Sequence, residues 1–233
     1  MKIAKLKALF YPDVNFETLY IPHIYQEIYF DKIYKDVFKN KEAGSMIILD
    51  VGANIGIVTQ YMLPFAKKLY AIEPSSEHFE ALAANKEFNS WDNVEIFKVA
   101  LADRDGETTL MKKPDNRTMD SIVMGKKNPD GSLIFPMKTR RPHGNPEVVK
   151  TMAMDTFFKE NKITQVDFMK FDVEGAEDMI LRSEGFKKVA EKIKAIEIEF
   201  HFPDWQNLVD YMVGLGFMGR RYKCSAIVFL FKK

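Results

Sequence analysis

The architecture of this chain is set by the segment Met46-Ile-Ile-Leu-Asp-Val-Gly-Ala-Asn-Ile-Gly56. Its first four residues form a short, continuously apolar run, which is typical of a strand buried on both faces of a parallel sheet. The run gives way to a loop that carries Gly52 and Gly56, and the residues at 55–66 then suit a helix. The segment therefore predicts a strand, a glycine-bearing loop and a helix, the opening unit of an open α/β sheet.

The same alternation continues along the chain. Further strands are predicted at 69–72, 94–100, 107–111, 166–171 and 193–200, and further helices at 75–89, 174–182 and 205–215. Two extended runs, at 217–222 and 226–231, predict a closing hairpin. Together these elements predict an α/β fold: a Rossmann-like, doubly wound, mostly parallel sheet with a C-terminal antiparallel hairpin.

The length of 233 residues fits one domain with appendages. Residues 1–45 are rich in Tyr, Phe and Lys and predict a helical N-terminal cover, and residues 46–233 form the sheet domain. Prolines and glycines interrupt the pattern from about 112 to 146. We interpret that stretch as a loop insertion within the domain, because the alternation resumes after it.

Charge and cysteine content exclude several classes of protein. Lys and Arg number 34 and Asp and Glu 33, a net charge of +1, which does not indicate a nucleic-acid partner. A single cysteine, Cys224, excludes a disulfide framework within the chain and a Cys-rich metal site. Lysines interrupt the apolar residues at the start, and no later run reaches membrane length. We expect a soluble, cytoplasmic protein with no membrane partner.

The first loop and the end of the second strand point to a nucleoside ligand. The loop has the spacing G-x-x-x-G, and Ala53 and Asn54 occupy the region where a dinucleotide binder needs its middle glycine. Glu73, at the end of the second strand, can accept hydrogen bonds from both hydroxyls of a ribose. The pair fits a nucleoside without a pyrophosphate, such as S-adenosylmethionine. The alternative interpretation is a tight turn and a surface acid.

We therefore predict that the ends of the strands hold this cofactor. Its amino-acid end would lie against the loop at 52–54, its ribose on Glu73 and its adenine beside 99–101. The predicted cofactor-binding residues are Asp50, Gly52, Ala53, Asn54, Gly56, Glu73, Pro74, Ala100, Leu101 and Asp172.

Candidate catalytic residues lie at the ends of two later strands. S-adenosylmethionine donates a methyl group, and if the acceptor is a hydroxyl, a base close to it must remove the proton. Asp172 ends a predicted strand facing the crevice of the cofactor loop, and Lys170, on the same face, would hold its charge. His201 ends the fifth strand and titrates near neutrality, although an incidental surface histidine is an equal alternative. We predict Asp172, Lys170 and His201 as catalytic residues.

Other acids nearby receive weaker interpretations. Asp172, Glu199 and His201 could bind a divalent ion that polarises the acceptor, but no spacing demands a metal, so no metal ligand is predicted. Glu174 and Glu177 are explained by the dipole of the helix that they are predicted to begin.

In these motifs the sequence resembles the FkbM-type methyltransferases, a class I S-adenosylmethionine-dependent family. The resemblance covers about residues 46–201. It is carried by Asp50-Val-Gly-Ala-Asn-Ile-Gly56, Glu73-Pro74, Ala100-Leu-Ala-Asp103 with Gly106, Met154-Asp-Thr-Phe157 and Lys170-Phe-Asp-Val-Glu-Gly-Ala-Glu177. It implies the class I methyltransferase fold and methyl transfer, usually to oxygen.

The acceptor and two alternative functions stay open. Residues 112–150 contain nine basic and four acidic residues, which favours an anionic acceptor, although a solvated loop explains the same charges. We expect a hydroxylated, sugar-like small molecule or a glycan. A non-catalytic nucleoside-binding module is the first alternative. A nucleotide-cofactor oxidoreductase is the second, and the missing middle glycine argues against it.

Overall fold

The computed structural model of the chain describes residues 34–111, 121–123, 146–221 and 227–232. The helices in these ranges are α1 (Lys35–Phe38), α2 (Ile57–Met62), α3 (Ser76–Asn89), α4 (Met154–Glu160), α5 (Glu177–Leu181), α6 (Glu184–Val189) and α7 (Gln206–Gly214). The strands are β1 (Met46–Val51), β2 (Ala66–Ile72), β3 (Val94–Phe97), β4 (Ala100–Ala102), β5 (Gly106–Met111), β6 (Ser121–Val123), β7 (Glu147–Ala153), β8 (Phe168–Phe171), β9 (Ala195–Glu199), β10 (Phe217–Arg221) and β11 (Ile227–Lys232).

A seven-stranded sheet carries the fold, in the order β10-β11-β9-β8-β1-β2-β3. The five strands from β9 to β3 in this order run parallel, and β11 pairs antiparallel with both β9 and β10. This confirms the predicted Rossmann-like, doubly wound, mostly parallel sheet with its terminal hairpin. The chain winds outward from β1 in both directions, so the crevice beyond the carboxyl ends of β1 and β8 is the place where such sheets bind ligands.

The apolar run of β1 is buried on both faces, as its composition predicts. Leu49 and Val51 belong to one hydrophobic core, and Met46 and Ile48 belong to the other. Alternate side chains therefore point to opposite faces of a sheet that is covered on both sides. Each such fully buried aliphatic side chain stabilises the fold by about 1.5–3 kcal/mol.

The strand predicted at 94–100 is wrong as a single element. The chain leaves the main sheet after β3, and β4 joins a second, four-stranded sheet in the order β4-β7-β5-β6. Since β3 is an edge strand of the main sheet, the backbone that continues beyond it needs another strand for its hydrogen bonds. That partner is β7, which pairs parallel with β4 through Ala100 and Thr151.

Two helices begin later than predicted because of left-handed backbone. Gly56 has a φ of 95°, so α2 begins at Ile57 and not at position 55. Glu174 and Gly175 have φ values of 54° and 106°, so α5 begins at Glu177. Glu174 is therefore part of the loop after β8 and does not lie in the first turn of a helix.

The described part of the N-terminal cover packs on one face of the main sheet. The ring of Phe38 stacks on Phe65 with centroids 4.6 Å apart and meets Phe168 edge-on at 5.3 Å. Residues 1–33, most of the predicted insertion and Cys224 lie outside the described residues. None of the helices described is long and apolar enough to cross a membrane.

Candidate active site

The carboxyl ends of four neighbouring parallel strands bring the candidate residues to one edge of the sheet. Gly52 follows β1 and Glu73 follows β2, while Asp172 follows β8 and His201 lies just beyond β9. Because parallel strands end at the same edge, residues far apart in the sequence meet there.

Gly52 is needed for packing between the first loop and the end of β8. Its φ is 78°, and a Cβ atom placed on it would lie 1.8 Å from the carbonyl oxygen of Asp172. The sequence suggested that this glycine lets a ligand approach the backbone. In the structure it lets the backbone of Asp172 approach.

Gly56 also has a packing reason. A Cβ atom there would lie 2.8 Å from Leu82 Cδ1 and 2.9 Å from the Trp91 ring. The glycine therefore allows the loop to pack closely against α3 and the turn that follows it.

Glu73 ties the loop after β1 to the start of α3. Its Oε2 accepts a hydrogen bond from the backbone N–H of Asn54, and its Oε1 accepts one from Ser75, both at 2.9 Å. A carboxylate offers about four lone-pair sites, and the two hydrogen bonds use two of them. His78 Nδ1 lies 3.7 Å from Oε1 on the same carboxylate. The arrangement places a buried carboxylate beside residues 52–54, which we name the nucleoside loop after the ligand predicted for it.

The other predicted cofactor residues lie in three different settings. Ala53 is buried in the loop, Pro74 is partly exposed beside Glu73, and Ala100 and Leu101 are buried in β4. Asp50 lies beneath the loop, fully buried, and its Oδ2 accepts a hydrogen bond of 2.6 Å from Thr59 Oγ1. Burial raises the pKa of Asp50, against the opposing effects of Lys170 and Thr59.

Lys170 connects the nucleoside loop to Asp172. Its Nζ donates hydrogen bonds of 2.9 Å to the carbonyl of Gly52 and to Asp172 Oδ2. Burial by itself would lower the pKa of Lys170, but the carboxylates of Asp172, Asp50 and Glu197 outweigh it and raise that pKa. The ammonium group is therefore charged, and it fixes one oxygen of Asp172.

Four carboxylates surround the imidazole of His201, and together these five residues form what we name the His201 cluster. Glu177 Oε1 accepts a hydrogen bond of 2.8 Å from Nδ1. On the other side of the ring, Nε2 lies 3.6 Å from Glu174 Oε2, 3.8 Å from Asp172 Oδ1 and 3.9 Å from Glu199 Oε1.

The excess of negative charge controls the protonation of this histidine. Burial lowers the pKa of His201, but the Glu177 hydrogen bond and the charges of Glu174 and Asp172 raise it to about 9. The free protein therefore carries an imidazolium here at neutral pH. The cluster favours a positive charge between its carboxylates.

Sequence reasoning missed Glu174 and Glu177 as members of this cluster. The left-handed turn at Glu174 and Gly175 brings both carboxylates back to His201. The available signal was a Glu-Gly pair directly after a strand, since glycine there favours a turn over the start of a helix.

Comparisons with known proteins identify the family and the fold of the chain. Residues 50–221 match the model of the Methyltransferase FkbM domain. The chain is similar to the structure of Methyltransferase FkbM from Methylobacillus flagellatus KT, with 15% identity and a TM-score of 0.54 over 89% of this chain and 47% of that one. It is also similar to an rRNA methylase from Streptococcus thermophilus, with 10% identity and a TM-score of 0.50 over 84% and 92% of the two chains.

Because the sequence identities are only 15% and 10%, these two similarities show the fold alone. The chain spans about half the length of the Methylobacillus flagellatus structure that it matches. A search of curated protein sequences found no match to this chain.

Proposed function

Because the chain belongs to the FkbM methyltransferase family, we propose that it transfers a methyl group from S-adenosylmethionine to a hydroxyl oxygen of its acceptor. One observation carries the proposal: Lys170 Nζ contacts the nucleoside loop at Gly52 and the carboxylate of Asp172, both at 2.9 Å. The candidate cofactor loop and the candidate proton acceptor are therefore adjacent and held by the same cation.

The residues at the loop fit this cofactor. Glu73 has the charge and the lone pairs to bind the ribose, and the loop at 52–54 would lie against the amino-acid end. S-adenosylmethionine supplies an electrophilic methyl group on a positively charged sulfur. The neighbouring carboxylates Asp50 and Glu73 favour a cationic ligand at this edge of the sheet, while the charge of Asp172 is paired with Lys170.

Asp172 would orient the acceptor and take its proton. Its Oδ2 is held by Lys170, while its Oδ1 accepts no hydrogen bond from any described residue. A hydroxyl that donates to Oδ1 would be held next to the nucleoside loop with its lone pair free. Such positioning can contribute about 7–11 kcal/mol of the barrier, and proton transfer adds a further factor of about 10²–10⁴ in rate.

The acceptor is proposed to be a hydroxylated small molecule or glycan. The basic composition of residues 112–150 supports an anionic one. A cytoplasmic setting belongs to the same proposal and is supported by the single cysteine. Membership of a methyltransferase family argues against the oxidoreductase alternative. A non-catalytic nucleoside-binding module would bind the same ligand as a methyltransferase does, so only a measurement of turnover distinguishes the two functions.

The first test is calorimetric titration of the purified chain with S-adenosylmethionine, S-adenosylhomocysteine and NAD. We expect the two adenosyl ligands to bind and NAD not to bind. Methyl transfer from labelled S-adenosylmethionine is then measured across a panel of anionic and neutral sugars. Failure of both adenosyl ligands to bind would remove the basis of the proposal.

Asp172→Asn tests the role of the carboxylate. We expect kcat to fall by a factor of about 10²–10⁴ with little change in the Kd of S-adenosylmethionine, because the amide cannot take a proton. Asp178→Asn is the matched control, since Asp178 is exposed on α5 and pairs with Arg182. Turnover that survives Asp172→Asn at the wild-type rate would remove Asp172 from the mechanism.

A further inference from the structure

We propose that Asp172, Glu174 and His201 form a binding site for one divalent transition-metal ion, such as Mn²⁺ or Zn²⁺. One ligand atom from each of the three residues lies within 4.8 Å of the others. The inference concerns binding of the ion and stands independently of the proposed methyl transfer.

The distances in the cluster suit an ion better than direct hydrogen bonds. His201 Nε2 lies 3.8 Å from Asp172 Oδ1 and 3.6 Å from Glu174 Oε2, which is too long for a hydrogen bond. Two ligands that each lie about 2.1 Å from one ion are separated by about 3.0–3.4 Å. The two distances from Nε2 therefore exceed those of coordination by less than about 1 Å. All three ligand atoms lie within 4.8 Å of one another, so side-chain rotations would complete the coordination.

Glu177 already orients the imidazole for this purpose. Its fully buried carboxylate accepts the Nδ1 hydrogen of His201 at 2.8 Å and also accepts the backbone N–H of Gly175 at 3.0 Å. Metal-binding histidines usually donate their second ring N–H to a carboxylate, which fixes the ring and leaves the other nitrogen for the ion. Here Nε2 is the nitrogen directed towards the remaining carboxylates, and the ion would replace the proton that Nε2 carries in the free protein, releasing it to solvent.

Asp172 gives a second, independent indication of a cation site. Lys170 occupies its Oδ2, while its Oδ1 is a buried atom that accepts no hydrogen bond within the described residues. This Oδ1 lies 3.8 Å from His201 Nε2. Glu199 Oε1 lies 3.9 Å from Nε2, at the exposed side of the same cluster.

The donor set selects the class of ion. Mg²⁺ and Ca²⁺ prefer sites made of oxygen alone, whereas imidazole suits Zn²⁺ and other first-row transition metals. One imidazole with two carboxylates matches Mn²⁺ or Zn²⁺. If the proposed methyl transfer also holds, the ion would use one lone pair of Asp172 Oδ1 and leave the other to accept from the acceptor hydroxyl, whose oxygen it would polarise.

The test uses the full chain freed of metal with EDTA and then dialysed. Titration with Mn²⁺ is followed by calorimetry and by loss of the electron paramagnetic resonance signal of free Mn²⁺, and Zn²⁺ is titrated by calorimetry. We expect one saturable site per chain. Absence of saturable binding of both ions would overturn the inference.

Two variants assign the site to its residues. Glu174→Gln and His201→Gln should each weaken binding at least about 10-fold, and Asp178→Asn should leave it unchanged. Circular dichroism checks that each variant folds. Because Glu174 is partly exposed, its variant keeps the test decisive if the His201 variant does not fold. Wild-type affinity in a folded Glu174→Gln or His201→Gln chain would exclude this site.

Parallel titration with S-adenosylmethionine separates the two proposals. Metal binding without cofactor binding would contradict the proposed function and support the metal site. Cofactor binding and turnover in the metal-free chain, with no saturable ion binding, would contradict the metal site alone.

Discussion

Gly52 sets how closely the nucleoside loop can approach the end of β8. Gly52→Ala would add left-handed strain and would place a Cβ atom 1.8 Å from a backbone oxygen that cannot move freely. We expect the free energy of unfolding to fall by more than about 4 kcal/mol, measured by urea denaturation. Gly44→Ala is the matched control, since Gly44 has a φ of 68° with nothing within 4 Å, and it should cost only about 1–2 kcal/mol. Equal losses in the two variants would contradict the steric argument.

Glu73 is the residue on which cofactor affinity should depend. Glu73→Gln keeps the shape of the side chain but removes the charge that the ribose hydroxyls would contact. We expect calorimetry to show a loss of about 1.5–3 kcal/mol in binding of S-adenosylmethionine, since hydrogen bonds to charged groups contribute that much. Glu80→Gln, at an exposed position of α3, should bind as the wild type does. An unchanged Kd for Glu73→Gln would show that the charge of Glu73 does not hold the ribose. Glu73 would then only join the loop after β1 to the start of α3.

At the scale of elements, β11 supports the N-terminal helix. Phe229 on β11 stacks on Phe168 at 6.5 Å and meets Tyr34, just before α1, edge-on at 6.2 Å. Phe229→Ala should lower the free energy of unfolding by about 3–5 kcal/mol and reduce amide-hydrogen protection in α1. Phe231→Ala, at an exposed position of the same strand, should cost less than about 1 kcal/mol. A similar loss in both variants would show that the aromatic contact is not the cause.

Local patterns predicted the elements that stand on apolar runs, and non-local contacts account for the rest. β1, β8 and β9 follow from short buried segments, so the predicted edge carrying Asp172 and His201 could be inferred from where those strands end. β7 was missed because its pairing with β4 crosses the insertion, and no local period records it. The packing role of Gly52 depends on a carbonyl from β8, and the positions of Glu174 and Glu177 depend on a left-handed turn. Neither the close approach at Gly52 nor the left-handed turn at Glu174 and Gly175 leaves a mark in the pattern of apolar residues.

For the whole molecule, a buried glutamate makes stability depend on pH. Burial raises the pKa of Glu197 well above its ordinary value of 4.5, although Lys170 and the hydroxyl of Tyr34 oppose the shift. The folded chain therefore keeps a proton that the unfolded chain releases, so stability falls as the pH rises from about 4.5 towards the raised value. The slope in that interval approaches about 1.4 kcal/mol per pH unit.

Glu197→Gln should remove this dependence, because the amide is neutral at every pH and has nearly the same volume. Urea denaturation from about pH 5 to about pH 9 measures the free energy of unfolding of both chains. The value for the variant should increase relative to the wild-type value as the pH rises. The exposed Glu95 supplies the control, Glu95→Gln, which should follow the wild-type curve. Parallel curves for the wild type and Glu197→Gln would show that Glu197 does not titrate in this range.

The strand order β10-β11-β9 also has a consequence for synthesis of the chain. A ribosome delivers β9 and β10 before β11, so the strand that leads to His201 emerges with one side of its backbone unpaired. At about 5–20 residues per second, the residues up to the end of β11 need a few seconds more. During that interval β9 is an open edge to which another nascent chain can pair. Chaperone demand and aggregation in this protein should therefore concentrate on the interval before β11 is complete.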